Sequence, residues 1–133
     1  MKTMQLLDEL DFSAHDAHAE GLFVDKNGRA LRFTLKPGQS FRKHNTPESP
    51  SYMVVLKGQG IFAGADGKEE QFGPNAMLIF DAGENHIIRA VDQELVLVGF
   101  LHGAPGNTSD KIGGEIGRRQ MQTMALPMQE GEG

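Results

Sequence analysis

Five residues in this chain are suited to hold a metal or move a proton through an imidazole: His15, His18, His44, His86 and His102. There is no cysteine, so the chain offers no thiolate nucleophile, disulfide or zinc–sulfur centre, and any metal must be held by nitrogen or oxygen. His15 and His18 lie three apart in the polar run Ser13-Ala-His-Asp-Ala-His18, where a solvated turn accounts for them. His44 and His86 are placed differently. His44 comes after the Pro37-Gly38 turn and His86 after Asp81-Ala82-Gly83, each bordering a strand-like run, and barrels present side chains into their mouths at such edges. His102 ends the last apolar run and shares strand parity with Val98 and Phe100, so it joins a lumen if they do.

The elements that must position these residues read as strands. Asn27-Gly28 separates two apolar runs, and such a pair supplies the positive φ angles of a two-residue hairpin turn. After it Leu31, Phe33 and Leu35 alternate with Arg32, Thr34 and Lys36, a period of two that gives one dry face. Tyr52 to Leu56, Ile61-Phe62 and Glu69 to Phe72 continue the series through Gly58, Gly60 and the Asp66-Gly67 turn. Met77 to Phe80, His86 to Val91 and Glu94 to Leu101 complete it. Close strand spacing with no helical period between describes a sandwich or barrel, whose expected core includes Phe33, Phe62, Met77, Ile79, Phe80 and Phe100.

Length and charge bound the rest. The 133 residues suit one domain. A net charge of −5 offers no footprint for nucleic acid or anionic lipid, so neither is an expected partner. The opening MKTMQLLDEL resembles neither a secretory signal nor a membrane span, so the expected location is cytoplasmic. Residues 1–20 form an amino-terminal segment suited to cover a sheet edge, 21–104 the barrel, 105–126 an extension with a weak helix, and 127–133 a disordered tail.

Two stretches carry a family resemblance. Pro37-Gly38-Gln-Ser-Phe-Arg-Lys-His44, followed by Tyr52-Met-Val-Val-Leu-Lys-Gly58, resembles the first cupin motif, in which a glycine, five residues and a histidine lead to a strand and a closing glycine. Gly73-Pro-Asn-Ala-Met-Leu-Ile-Phe-Asp81-Ala-Gly83-Glu-Asn-His86 resembles the second. The resemblance spans about Leu31 to Leu101 and implies an all-β double-stranded β-helix, a jelly-roll barrel. In metal-binding cupins four ligands, three histidines and a glutamate, hold one metal. Here His44 and His86 occupy two of those positions, while Thr46 and Ser51 stand at the other two, and hydroxyls are weak ligands for a divalent ion. In the second motif Asp81 replaces the usual proline and Ala90 the usual asparagine.

Glu48 and His102 are the candidates for completing a metal site with His44 and His86, and the metal would be Fe, Mn, Ni or Zn. If His44 faces inward, alternation carries Arg42 and Thr46 with it, and Ser51 and Met53 on the next strand. A guanidinium beside imidazoles and hydroxyls suits a carboxylate, enolate or phosphate-bearing molecule. The preferred reading is therefore a cupin that binds a small polar or anionic molecule in its lumen, its metal site degraded. The alternative is a metal-dependent enzyme of dioxygenase, isomerase or decarboxylase type. The resemblance also implies a homodimer.

Overall fold

A computed structural model describes residues 1–43 and 49–102. The described residues form nine strands: β1 (His18–Asp25), β2 (Gly28–Leu35), β3 (Ser40–Lys43), β4 (Ser51–Lys57), β5 (Gly60–Ala63), β6 (Glu70–Phe72), β7 (Met77–Phe80), β8 (His86–Ala90) and β9 (Leu95–His102). They form a five-stranded sheet in the order β1-β2-β9-β4-β7 and a four-stranded sheet in the order β3-β8-β5-β6. Every pairing is antiparallel. Among the described residues there is no helix; the helix and tail expected over 105–126 and 127–133 lie outside them.

Alternation builds the core between the sheets. Leu31, Phe33 and Leu35 of β2, Met53 and Val55 of β4, Ile88 of β8 and Leu95, Leu97 and Leu101 of β9 point inward and are buried with Phe41 and Phe62. A fully buried Leu, Ile or Phe contributes about 1.5–3 kcal/mol relative to exposure, so this layer dominates the fold's stability. Phe33 and Phe41 join the two sheets with ring centroids 4.9 Å apart.

Three details differ from what the sequence suggested. First, neither Asn27 nor Gly28 has a positive φ. The Asp25 carboxylate holds the first hairpin instead, accepting hydrogen bonds from the backbone N–H of Asn27 at 2.8 Å and Gly28 at 3.1 Å. Second, Arg32 and Thr34 belong to the polar face of β2 yet are buried. Residues 6–11 cross that face: Arg32 donates to the carbonyls of Leu6 and Asp8 at 2.9 and 3.1 Å and pairs with Glu20 at 2.7 Å, and the Thr34 hydroxyl donates to the Asp11 carbonyl. The amino-terminal segment thus covers the outer surface of its own sheet over β2.

Third, Phe33, Phe62 and Phe80 are core, but Met77, Ile79 and Phe100 are not. On β7 and β9 the inward parity belongs to Phe80 and Leu101, which leaves Met77, Ile79 and Phe100 outside, 58%, 57% and 43% exposed. Cross-strand register aligns Phe23, Ala30, Phe100, Tyr52 and Ile79 into one apolar row over the outer face of all five strands.

Candidate functional site

At one end of the sandwich the inner surface carries three of the sequence candidates, Ser51, Met53 and His86. β3 and β8 pair so that Lys43 stands opposite His86, and β4 and β7 pair so that Ser51 stands opposite Phe80. His86 is 2% exposed and Ser51 3%. The His86 ring lies flat on Phe80, centroids 4.1 Å apart and planes within 12°, with Phe41 at 6.3 Å. Phe80 belongs to one sheet and His86 to the other, so this stack fastens the two sheets together at the site.

Met53 is buried on the same face of β4 as Ser51. It fits because Gly99 opposite lacks a side chain: a Cβ there would stand 2.7 Å from the Met53 sulfur and 3.1 Å from the Phe33 ring. Ser51, Met53 and His86 are therefore inward residues, as alternation from an inward site requires.

Two candidates fall elsewhere. Arg42 pairs with Ile87, so backbone register puts position 42 on the strand face opposite that of Phe41 and His86. For His102 the expectation of a lumen position is corrected. It shares parity with Val98 and Phe100 as expected, but that parity is the outer one, because Leu95, Leu97 and Leu101 take the core. His102 is exposed, its Nε2 3.1 Å from the Tyr52 hydroxyl and its ring edge-on to the Tyr52 ring, so it cannot supply a third lumen imidazole. His44, Thr46 and Glu48 lie outside the described residues.

Sequence reasoning passed over two residues. Lys43 is the position in register with His86 and so shares its face, a signal that becomes visible only once the β3–β8 pairing is known. Glu84 is the second. Its carboxylate accepts the backbone N–H of Asp81 and of Ala65, each at 2.7 Å, tying the turn before His86 to the turn after β5. Beside it an open cavity of about 380 Å³ lies between β6 and β7, with Phe62, Phe72, Leu78 and Phe80 as its apolar wall and Asp66, Lys68, Glu70 and Glu84 as its polar rim. Phe80 is the wall this cavity shares with His86.

For a metal, the described residues offer one inward imidazole, His86, and one inward hydroxyl, Ser51, where a carboxylate is the usual ligand. Among them no three His, Asp or Glu side chains stand close enough to hold an ion. His44 and Glu48 would have to supply the remainder. Among the described residues no helix is long and apolar enough to cross a membrane.

No curated protein matches the chain. An RmlC-like cupin protein from Desulfovibrio desulfuricans superposes with a TM-score of 0.70 at 25% identity, over 77% of this chain and 97% of that one. An uncharacterized conserved protein with a double-stranded β-helix domain from Klebsiella pneumoniae gives 0.73 at 12% identity, over 79% and 92%. A predicted oxalate decarboxylase from Thermotoga maritima gives 0.59 at 22% identity, over 65% and 79%. The family model for the cupin domain matches residues 31–101, which begin inside β2, end one residue short of the end of β9 and enclose His86, Ser51 and Met53, and the chain belongs to the cupin family.

Proposed function

We propose that this cupin binds a small polar or anionic molecule in its lumen, with His86 and Ser51 as polar contacts and His44 and Thr46 completing the set. The observation that carries this is the His86 imidazole, buried between the sheets and oriented by the Phe80 ring. A wall built of an imidazole, a hydroxyl and a methionine suits oxygen-rich organic molecules better than a hard cation.

Cupins often bind a divalent metal, and the second reading, an enzyme using Fe, Mn, Ni or Zn at His44 and His86 with Glu48, draws on the same buried imidazole. One experiment separates them. Untagged protein is assayed for bound metal, then stripped with EDTA and screened by thermal shift against dicarboxylates, inorganic phosphate and monosaccharides. A rise in Tm with one of these classes in metal-free protein, lost in His86→Ala, is the expected result. Near-stoichiometric metal that His86→Ala abolishes, with no ligand response in stripped protein, would overturn the binding reading in favour of the enzyme.

The homodimer belongs to the same proposal. Its support is the exposed row from Phe23 to Ile79, because contiguous apolar surface of this kind usually marks an interaction site. A second copy meets like with like across a two-fold axis. Light scattering at several concentrations decides it.

A further inference from the structure

We propose that Glu84 is the positioning residue of the site: by clamping two turns together it holds its own carbonyl against His86 Nδ1, so that the neutral ring carries its proton on Nδ1 and keeps Nε2 as the acceptor. The inference rests on the reading of His86 as the site's imidazole, and deepens it by naming what sets that imidazole's chemistry.

The geometry is a short chain of contacts. His86 Nδ1 lies 3.4 Å from the Glu84 carbonyl oxygen. A carbonyl can only accept, so this contact selects the tautomer with the proton on Nδ1. At 3.4 Å the bond is near its useful limit, and a small drift of the turn would abolish it. The turn is therefore what must be held. Its backbone closes with Glu84 N–H donating to the Asp81 carbonyl at 3.0 Å. Its side chain then adds two charge-assisted bonds, from Asp81 N–H on one oxygen and Ala65 N–H on the other. The second anchors the turn to the end of β5, in the four-stranded sheet that also carries His86.

Gly64 is part of the same device. A Cβ on it would overlap Glu84 Oε2, so only glycine lets the carboxylate reach the Ala65 N–H. The stack on Phe80 fixes the plane of the imidazole but treats its two nitrogens alike. The Glu84 carbonyl breaks that equivalence, in the way that partners behind a ligating or catalytic histidine commonly do.

The test reads the ring directly and needs no ligand. Two-bond ¹H–¹⁵N spectra of histidine-labelled protein, taken at a pH where His86 is neutral, are compared for the wild type, Glu84→Ala, Glu84→Gln and Gly64→Ala. The wild type is expected to show His86 as a single Nδ1–H tautomer. Glu84→Ala loses both clamp bonds and is expected to show a mixture of tautomers. Glu84→Gln has one acceptor oxygen in place of two and should fall between. Gly64→Ala keeps Glu84 but displaces its carboxylate, and should reproduce the mixture in a protein whose acidic residue is intact. His102, on the outer face, should keep its signals in all four.

A wild-type His86 in the Nε2–H form would overturn the proposal, as would a single unchanged tautomer in folded Glu84→Ala and Gly64→Ala, which would leave Glu84 a purely structural clamp. A tautomer that shifts as expected upholds it even if no lumen ligand is found, so the failure of this inference and the failure of the binding reading remain distinguishable.

Discussion

His86 and His102 stand at opposite ends of their strands, His86 opening β8 and His102 closing β9, and each meets an aromatic ring, yet the two have opposite fates. His86 lies parallel to Phe80 between the sheets, with its Nδ1 against a backbone carbonyl. His102 stands edge-on to Tyr52 on the outer face, in solvent, and its own backbone N–H is held by the Ser49 hydroxyl at 2.9 Å. What separates them is parity alone. One residue of slip in β9 would carry His102 inward and Leu101 outward. The core forbids that slip, because Leu95, Leu97 and Leu101 are all buried on one parity. Which histidine faces the interior is thus decided by hydrophobic neighbours rather than by the histidine.

The sharpest way to break this contrast is to remove what holds His86 from behind. Phe41→Ala takes a ring from between Phe33 and His86, and truncating a buried Phe costs about 3–5 kcal/mol. Urea denaturation should show that loss, and the His86 ring resonances should move while those of His102 stay. If both move alike, the inner and outer histidines are not independently housed.

Next in size is the outer face. Arg32→Met keeps the length of the side chain but discards its bonds to Glu20 and to the carbonyls of Leu6 and Asp8. Breaking a buried pair from one side costs about 3–5 kcal/mol, and with Glu20 still partly in water the expected loss is about 2 kcal/mol. Hydrogen exchange should quicken over residues 6–11, with His86 unaffected.

His86→Phe tests whether the imidazole serves chemistry or packing. Phenylalanine preserves the stack, and volume-conserving swaps in a core usually cost less than about 1.5 kcal/mol. The expected outcome is a fold little changed and a thermal response to lumen ligands lost, whereas His102→Phe should leave that response intact. Loss in both variants would mean that the binding site is not the lumen.

Much of this was legible in the sequence, and the part that was not has a common cause. Strand positions followed from turn chemistry and from alternation, because Leu31, Phe33 and Leu35 announce a dry face without reference to any other strand. The family motifs pointed to His86 and Ser51 as candidates, and both are buried. Alternation, however, says which residues share a face and not which face is the core. Phe100 and His102 were tied together correctly and then depended on a choice of side that only the packing of β9 against β2 and β4 makes. Glu84 was invisible because its partners, Ala65 and Asp81, are backbone groups, and no spacing of side chains signals a carboxylate that caps two turns. The burial of Arg32 could be foreseen no better, since its partners are carbonyls 24 and 26 residues back along the chain.

The smallest expected effect is also the one that reports on the outer face as a surface. Tyr52→Phe removes only the hydroxyl that meets His102 Nε2 at 3.1 Å. A hydrogen bond open to water on both partners contributes at the low end of about 0.5–1.5 kcal/mol, so in an isolated chain the midpoint in urea should scarcely move. Tyr52 sits in the apolar row between Phe100 and Ile79, and a second copy seated on that row would bury the hydroxyl with its partner. The same substitution would then remove a desolvated bond and leave a buried imidazole nitrogen behind, at a cost of about 1–3 kcal/mol. That loss would also depend on protein concentration, because only the associated form would feel it. A small effect that is independent of concentration makes the outer face the solvated counterpart of the lumen. A larger one that grows with concentration makes Tyr52 and His102 interface residues, and the contrast with His86 becomes one between two buried histidines facing different partners.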